Sequence, residues 1–369
     1  MPVAHETLLE IDLTALAHNY HYLRSKVESN VKFMGVVKAS GYGSDVVGIA
    51  RKLKELGADY VAVAYISEGI ALREAGIELP IMVFHPQSAN YESLVEYCLE
   101  PSLYSDFVLK EFISTAEKLN QKNFPVHLKF NTGMNRLGLS EEEVEMVTGR
   151  LNATNSVKAA SVFSHLSASE DWREREFTLQ QIHTFQRIAI RLFDQLKYEP
   201  LLHICNTSGI INYPEAAFDM VRSGIGLYGY GNEKSEDEKL KPVATLKTII
   251  SQIHHIKKGD SVGYNRAFTA EKPTKTATLP IGYADGIKRE YGNGTIGVFI
   301  GGKYAPIIGN VCMDMIMTDV TDIDCKEGDE VIVFGGPQRA TDFAEAGNTI
   351  SYELITGISQ RVKRVLIEH

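Results

Sequence analysis

The sequence has few cysteines, no long apolar run and no obvious export signal. Its four cysteines are widely separated and form no CxxC pair, so we expect reduced, mostly buried thiols and a cytoplasmic protein. The opening residues, MPVAHETLLEIDL, lack the basic start and apolar stretch of a signal peptide. No run reaches transmembrane length, so no membrane association is expected. The cysteines are Cys98, Cys205, Cys312 and Cys325.

Concentrated positive charge and metal-binding motifs are also missing. The net charge is -9, and the sequence contains no basic stripe or arm that could bind a phosphate backbone. This argues against a nucleic-acid partner. The 11 histidines form no HExxH or His-x-His pattern, so no metal site is predicted. No GxGxxG sequence opens the first strand–helix turn, which disfavours a dinucleotide-binding sheet.

What is present is a long alternation of short apolar runs and helical segments. From about residue 30 to 230, Val- and Ile-rich runs that hardly alternate in polarity are each followed by a helical pattern. Such runs are typical of parallel strands covered on both faces. Repeated strand–helix units indicate an α/β fold, either a (β/α)8 TIM-type barrel or a doubly wound sheet. The missing GxGxxG sequence favours the barrel, which is predicted over residues 12–235. Strand-like runs then predict a mainly β domain over 236–369, joined by an N-terminal strand at 1–11, with a polar linker near 232–242.

Polar residues cluster where the apolar runs of the barrel end. In a barrel these strand ends converge on one rim, the face on which such enzymes carry their chemistry. Any one of these residues could be structural, and it is their clustering that favours function. The residues are Lys38, Asn131, Arg136, His165, Asn206, Thr207 and Arg222.

Lys38 closes the run GVV and precedes ASGYG. A lysine at a strand end commonly extends into water, but a partly desolvated amine has a lowered pKa and can attack an aldehyde. Two small turns, NTSG at 206–209 and SGIG at 223–226, follow the last two barrel strands, where barrels commonly bind phosphate. An amine on one side and a phosphate site on the other suit pyridoxal 5'-phosphate, with Arg222 facing its pyridine nitrogen.

With these residues assembled, the chain resembles the alanine racemase family. The resemblance runs from LEIDL near the start to the final RVKRV and includes VVKASGYG, KFNTGMNRLG, NTSG, MVRSGIGLYG, SVGYNRAF, PIGYADG, GNVCMDM and SYELITGISQRV, in order. It implies an isomerase that interconverts L-alanine and D-alanine on pyridoxal phosphate, supplying D-alanine for peptidoglycan. It also implies a homodimer with shared active sites.

The resemblance assigns a role to each matching residue. Lys38 would bind the cofactor covalently and act as one of two acid/base groups, and Tyr264 from the other subunit would be the second. Arg222 would hydrogen-bond the pyridine nitrogen, supported by His203, and His165 would lie between Arg222 and Tyr264. The implied cofactor-binding residues are Lys38, Tyr42, Asn206, Thr207, Arg222, Gly224, Ile225 and Tyr352.

Further roles concern the substrate. Arg136 and Met313 would hold its carboxylate, with Asp314 beside Met313 as a supporting residue. The implied entrance residues are Tyr283 and Tyr352. Lys129 matches a position that is often carbamylated, where the added carboxylate would orient Arg136.

The chain also departs from the family pattern around Arg136. Asn131 stands where aspartate is common, and Asn135 replaces a glycine. Ser40 stands where asparagine is common, and Thr207 replaces a serine but keeps the hydroxyl. We therefore expect these departures to affect the positioning of the substrate carboxylate rather than the chemistry.

Three alternatives remain open on the sequence. One is a racemase of serine or of broader specificity, because pocket volume is not readable from sequence. A pyridoxal-phosphate amino-acid decarboxylase of the same architecture would usually place an acidic residue opposite the pyridine nitrogen, and Arg222 argues against it. A non-enzymatic carrier would need the barrel alone, and the β domain carrying Tyr264 argues against that.

Overall fold

The structure, a computed structural model, describes residues 6–369. The chain divides into two compact units, a barrel unit and a β unit. The barrel unit comprises residues 17–41 and 46–241. Among the described residues, the β unit comprises 6–16, 42–45 and 242–369.

The strands and helices are numbered along the chain. The strands are β1 Leu8–Asp12, β2 Lys32–Val36, β3 Tyr60–Val63, β4 Ile81–Val83, β5 Glu100–Leu103, β6 Phe124–Lys129, β7 Val157–Phe163, β8 Leu201–His203, β9 Met220–Ser223, β10 Ala244–Ile249, β11 Gln252–Ile256, β12 Ser261–Val262, β13 Phe268–Thr269, β14 Thr274–Leu279, β15 Gly297–Ile300, β16 Lys303–Ile308, β17 Ile316–Asp319, β18 Glu330–Phe334 and β19 Lys363–Ile367. The helical segments are α1 Leu13–Arg24, α2 Lys38–Tyr42, α3 Val46–Glu55, α4 Ile66–Glu74, α5 Tyr91–Glu96, α6 Asp106–Lys118, α7 Val144–Asn152, α8 Arg175–Gln195, α9 Thr207–Asn212, α10 Lys234–Asp237, α11 Ala340–Ala346 and α12 Ser351–Thr356, of which α2 is a left-handed turn rather than an α-helix.

The barrel unit contains an eight-stranded parallel sheet. Its strand order is β8-β7-β6-β5-β4-β3-β2-β9, so the first and last strands of the barrel, β2 and β9, are paired neighbours. The remaining gap is bridged by hydrogen bonds from the Asp219 N–H to the Leu202 carbonyl and from the Arg222 N–H to the Cys205 carbonyl, each 3.1 Å long. The sheet is therefore a nearly closed barrel, and the predicted fold class is confirmed.

The composition of the strands explains why they lie inside the barrel unit. Every residue of β4 is buried, as are Val61, Ala62 and Val63 of β3. Parallel strands with helices outside and side chains inside have no solvated face, so an uninterrupted apolar run is stable there. The barrel is thus a filled core, and polar side chains within it need partners.

The stretch predicted as a polar linker is more ordered than expected. It contains the short helix α10, in which Glu236 and Asp237 are buried. The Glu236 carboxylate accepts hydrogen bonds from the Ser208 hydroxyl at 3.0 Å and the Asn212 amide at 3.0 Å. These partners compensate the loss of hydration, and so charged residues that read as exposed linker are held against α9.

The β unit is built on a nine-stranded sheet of order β11-β14-β17-β16-β15-β18-β10-β1-β19. Strand β1 lies between β10, to which it is antiparallel, and β19, to which it is parallel. A separate pair, β12 and β13, flanks the turn that carries Tyr264. The sheet therefore combines the beginning of the described chain with its end.

Two chemical properties complete the description of residues 6–369. No helix in this range combines the length and apolarity that a bilayer crossing requires. All four cysteines are unpaired, but only Cys205 is buried, and Cys98 is exposed. The expectation of mostly buried thiols is therefore wrong. Cys98 follows α5 in a left-handed conformation with φ 50°, in a surface turn rather than in the core.

Candidate active site

Lys38 lies two residues after the end of strand β2, at the carboxyl end of the barrel. The residues after it adopt a left-handed turn, with φ 53° at Ala39, 56° at Ser40 and 67° at Gly41. Left-handed backbone is unfavourable for non-glycine residues and persists where its surroundings enforce it, often at functional sites. Burial is the main cause of the lowered pKa of the Lys38 amine, and the positive charge of Arg136 adds to it. A larger fraction of this amine is therefore a free nucleophile at neutral pH.

Glu68, in the first turn of α4, supports the backbone that carries Lys38. Its carboxylate accepts hydrogen bonds from the backbone N–H groups of Ala39 at 2.6 Å and Ala64 at 2.7 Å. The carboxylate also opposes part of the pKa shift of Lys38. Sequence reasoning missed this residue. Its one local signal is an acidic residue in the first turn of a helix that follows a barrel strand.

Positive charge is concentrated around Lys38. Burial and the charges of Arg136, Arg222 and Lys38 lower the pKa of Lys129 to about 8. His85, also missed by sequence reasoning, has its pKa lowered by burial and then by Lys129, Lys38 and Arg136. Cations that depress one another's pKa values in a partly desolvated site are an environment suited to an anionic ligand.

Arg222 lies on β9 and is almost fully buried. Its guanidinium donates to Nδ1 of His203 at 2.6 Å, to the Ser164 carbonyl at 2.7 Å and to the Ile204 carbonyl at 3.2 Å. Burial lowers its pKa to about 10. Among residues 6–369, no carboxylate is hydrogen-bonded or ion-paired to it. Arg222 therefore presents a buried positive charge held by neutral acceptors.

The two predicted histidines flank Arg222. His165 Nδ1 lies 3.4 Å from an Arg222 nitrogen, and the His203 ring stacks on Phe163 with centroids 5.1 Å apart. Burial holds the pKa of both imidazoles well below the usual value, and the charge of Arg222 lowers each further. Both rings are thus neutral and can accept a hydrogen bond from Arg222.

The two predicted phosphate turns meet in the barrel unit. The Thr207 and Ser223 hydroxyls are 3.1 Å apart, and the Gly226 N–H donates to the Thr207 hydroxyl at 3.3 Å. A Cβ added at Gly226 would lie 2.5 Å from Thr207 Cγ2, so only glycine allows this approach. Thr207 begins α9 and Ile225 begins a 3₁₀ turn, and the first N–H groups of a helix lack intrahelical partners.

Asn206 precedes Thr207 and Gly224 precedes Ile225, each at the position before the helical residues. The Asn206 side chain accepts a hydrogen bond from the Gly209 N–H at 2.9 Å and so caps α9. Asn206 is therefore engaged in forming the turn, and the N–H groups that follow it remain for an anion.

The loop carrying Arg136 is held by the residues that depart from the family pattern. Asn131 Oδ1 accepts from the backbone N–H groups of Gly133 at 3.1 Å and Asn135 at 2.9 Å, as an aspartate would. Its amide also donates to Asn135 Oδ1 at 2.8 Å. Asn135 has φ 54°, a conformation that asparagine adopts more readily than most residues after glycine. The substitutions are compatible with an ordered loop, and Arg136 at its tip is exposed.

The remaining predicted residues belong to the β unit. Tyr264 is 75% exposed, and its backbone carbonyl accepts a hydrogen bond from the Asn310 amide at 3.1 Å. Tyr283 and Met313 are also exposed large side chains, and the Ala284 N–H donates to the Met313 carbonyl at 3.0 Å. The aromatic rings of Tyr42 and Tyr352 are neighbours, with their centroids 6.2 Å apart.

Asp314 is fixed by an arginine that sequence reasoning missed. Arg361 donates to Asp314 at 2.7 Å and pairs with both carboxylate oxygens of Asp285, at 2.6 and 2.9 Å. These two carboxylates raise the pKa of Arg361, so it stays charged. The bidentate pair with Asp285 fixes the orientation of the Arg361 guanidinium, which then holds Asp314 through a single hydrogen bond.

Each unit thus contains one part of the predicted set. The barrel unit brings together Lys38, Lys129, Arg136, His165, His203, Asn206, Thr207, Arg222, Gly224 and Ile225, and the β unit contains Tyr42, Tyr264, Tyr283, Met313, Asp314 and Tyr352. The barrel part contains the Lys38 amine with its lowered pKa, the buried Arg222 guanidinium and the two Gly-containing turns. Within residues 6–369, no group of three or more His, Cys, Asp or Glu side chains is arranged to hold a metal ion.

Comparison with known proteins agrees with this chemistry. Residues 11–232 match the family described as alanine racemase, N-terminal domain, and residues 243–366 match its C-terminal domain. An alanine racemase from Halothermothrix orenii is 38% identical over 371 residues, covering 98% of this chain and 97% of that protein.

Solved structures lead to the same family. An alanine racemase from Clostridium difficile 630 has a TM-score of 0.94 and 32% identity, covering 100% of this chain and 97% of that one. The alanine racemase from Bartonella henselae, with covalently bound pyridoxal phosphate, has a TM-score of 0.88 and 29% identity, covering 99% and 100%. The predicted resemblance is confirmed: the chain belongs to the alanine racemase family of pyridoxal-phosphate-dependent amino-acid racemases.

Proposed function

We propose that this protein interconverts L-alanine and D-alanine by moving a proton to or from either face of the α-carbon. The observation that carries the proposal is the Lys38 amine, with its lowered pKa, in the same unit as the carboxylate-free guanidinium of Arg222. The D-alanine formed would serve the synthesis of peptidoglycan, as the family resemblance implies.

The residues of the barrel unit fit pyridoxal phosphate. The Lys38 amine would bind its aldehyde carbon, and the first-turn N–H groups at Thr207 and Ile225 would bind its phosphate. The close approach of Gly226 to the Thr207 hydroxyl supports this assignment, because it builds a small, donor-rich turn. Tyr42 and Tyr352, whose rings are in contact, are proposed as the phosphate's hydroxyl partners.

Arg222 is proposed to donate a hydrogen bond to the pyridine nitrogen. When bound, the cofactor withdraws electrons from the α-carbon of the amino acid and makes its proton removable. A guanidinium has only donors and does not release its proton, so the nitrogen opposite it stays unprotonated. Arg222 would thereby limit electron withdrawal and favour return of the proton to the α-carbon over loss of the amino group.

Two acid/base groups are needed on opposite faces of the α-carbon. Lys38 is proposed to hold or release the proton on one face, through Nζ. Tyr264 is proposed to do so on the other face, through its hydroxyl, after reaching the site of a second subunit. The support for this homodimer is the 75% exposure of Tyr264, which is unusual for a large aromatic side chain and leaves it accessible to a partner.

The substrate carboxylate is proposed to bind to Arg136 and to the backbone at Met313. Lys129 is proposed to be carbamylated, which would replace one of the clustered cations by an anion beside Arg136. Its pKa of about 8 supports this reaction, because only the neutral amine attacks carbon dioxide.

Tyr283 and Tyr352 are proposed to narrow the entrance to the active site. We propose two functional domains, residues 12–235 and residues 236–369. The second domain includes the N-terminal strand.

The experiment combines a binding and a turnover measurement. Purified protein should be yellow, borohydride should attach the cofactor irreversibly to the peptide containing Lys38, and alanine should exchange its α-hydrogen with solvent deuterium while both enantiomers form. Lys38→Ala should lose the attachment. Lys158→Ala, at an exposed lysine of β7, should retain it. A colourless protein that binds no cofactor, or release of carbon dioxide from basic amino acids without racemisation, would contradict the proposal.

A further inference from the structure

A continuous chain of hydrogen-bonded side chains extends from Arg222 into the core of the barrel. His203 Nδ1 is 2.6 Å from Arg222 Nη1, and His203 Nε2 is 2.8 Å from the Ser161 hydroxyl. That hydroxyl is 2.6 Å from His127 Nδ1, and His127 Nε2 is 2.8 Å from Glu100 Oε2. Five side chains from five different strands are thus joined by four short contacts.

This chain of hydrogen-bonded side chains lies almost entirely in the protein interior. His127, Ser161 and His203 have no exposed surface, Arg222 is 3% exposed, and Glu100 is 9% exposed. Glu100 is the first residue of β5, whereas His203 is the last of β8. Because all the strands are parallel, the chain crosses the barrel from its amino end to the carboxyl end that carries the site.

The direction of donation is determined from both ends. Arg222 can only donate, so His203 Nδ1 must accept and, in a neutral ring, Nε2 carries the proton. Nε2 then donates to Ser161, whose own hydrogen points to His127 Nδ1. At the other end an ionised carboxylate can only accept, so His127 must carry its proton on Nε2. The two ends require the same arrangement, with both imidazoles neutral.

A doubly protonated His127 would break this arrangement. It would donate to Ser161, which would then donate to His203 Nε2 and force the proton onto Nδ1. Two donors would face each other at the 2.6 Å contact between His203 and Arg222. The Glu100 carboxylate and the Arg222 guanidinium therefore fit the same chain only when every hydrogen bond is donated in the direction from Arg222 to Glu100. The buried charges at the two ends have opposite sign.

We infer that Glu100 is a positioning residue for Arg222, acting through His127, Ser161 and His203. It orients the accepting nitrogen of His203 and supplies the counter-charge that Arg222 lacks among its direct partners. The inference rests on the proposed function, in which Arg222 faces the pyridine nitrogen. It adds a residue at the opposite end of the barrel that helps to decide between racemisation and loss of the amino group.

The barrel offers a matched control for the central link. Ser102 on β5 and Ser161 on β7 both pair in register with His127, one from each neighbouring strand, and both are fully buried. The Ser161 hydroxyl joins the chain, whereas the Ser102 hydroxyl has no hydrogen-bond partner among the described residues. Ser161→Ala breaks the chain, and Ser102→Ala removes a similarly placed hydroxyl without touching it.

The first measurement is ¹⁵N nuclear magnetic resonance of histidine side chains in the full-length holoenzyme and in the cofactor-free protein. We expect His203 and His127 each to be neutral with the proton on Nε2. A proton on His203 Nδ1, or a doubly protonated His127, would overturn the inference. Because it is made on the unaltered protein, this test does not depend on any variant folding.

The second measurement is the ratio of racemisation to transamination of alanine. Glu100→Gln removes the charge and Ser161→Ala breaks the chain. Loss of about one net hydrogen bond corresponds to roughly a fivefold change, so we expect about a fivefold fall in this ratio for each variant. Ser102→Ala and Ser161→Thr, which keeps the hydroxyl, should match the unaltered enzyme. If the first two variants behave like Ser102→Ala, the inference is wrong. Failure of the unaltered enzyme to racemise alanine would instead refute the proposed function and leave the proton positions to test the chain.

Discussion

Lys129 provides the most quantitative test of the site. It ends β6, is 7% exposed, and has its pKa lowered from 10.5 to about 8 by burial and by the charges of Arg136, Arg222 and Lys38. We predict that dissolved carbon dioxide carbamylates this amine and that Lys129→Gln abolishes the modification. Carbamylation would remove a destabilising cation and place an anion among three positive side chains.

The pKa sets the size of the effect. At pH 7 an amine of pKa 10.5 is about 0.03% neutral and one of pKa 8 about 9%, a difference of about 300-fold. At a fixed concentration of dissolved carbon dioxide, the rate of carbamylation should therefore rise tenfold per pH unit up to about 8 and level off above it. An ordinary lysine would continue to gain rate up to pH 10.5.

The assay follows ¹³C-labelled carbon dioxide into the protein by nuclear magnetic resonance, with non-denaturing mass spectrometry to count the groups added. We expect one per chain in the unaltered enzyme and in the control Lys158→Gln, and none in Lys129→Gln. A rate that still rises tenfold per unit above pH 9 would refute the reasoning. So would label in Lys129→Gln at the same position.

The same pKa affects folding stability in buffer free of carbon dioxide. The folded pKa lies below the unfolded one, so the folded chain binds fewer protons between pH 8 and 10.5, and stability rises with pH across that range. The gain is on the order of 3 kcal/mol, because each unit corresponds to about 1.4 kcal/mol. Urea unfolding of the unaltered protein relative to Lys129→Gln should show this rise. Parallel pH profiles of the two proteins would contradict it.

Three further predictions concern the proposed chemistry. Lys38→Ala and Tyr264→Phe should each impair deuterium exchange from one enantiomer of alanine more than from the other; equal losses would contradict two opposed bases. Arg222→Glu should lower the ratio of racemisation to transamination, measured by pyruvate formation, and an unchanged ratio would refute its role. Gly226→Ala should weaken cofactor binding by at least tenfold in a fluorescence titration, because the new Cβ would lie 2.5 Å from Thr207. Unaltered affinity would contradict that phosphate site.

Much of the fold follows from local sequence patterns. Uninterrupted Val- and Ile-rich runs are typical of strands covered on both faces, so their alternation with helical segments predicts a barrel or a doubly wound sheet. The missing GxGxxG sequence then favoured the barrel. Lys38 and Arg222 were predicted as site residues because strand ends of a barrel share one rim. Thr207 and Ile225 lie in the Gly-containing turns, which were predicted to bind phosphate because they follow the last two strands. Each signal is local, depending on residues adjacent in the chain.

Other features depend on contacts between residues far apart in the chain. Sequence reasoning predicted 232–242 as an exposed linker, yet Glu236 is buried because Ser208 and Asn212 satisfy its carboxylate. Glu68 and Arg361 were missed because their partners, Ala39 and Asp285, lie 29 and 76 residues away. No periodicity or motif reports such pairings.

The sequence by itself predicted the barrel and the family, both of which are confirmed, and it singled out Lys38 as the proposed reactive amine. The tertiary structure alone decided what surrounds that amine. Burial and charges from distant parts of the chain lower the pKa of Lys129, and hydrogen bonds between side chains of five strands join Glu100 to Arg222. Charge interactions and hydrogen bonds act over a few ångströms of space, whatever the distance along the chain, so the chemical state of these groups exists only in the folded protein.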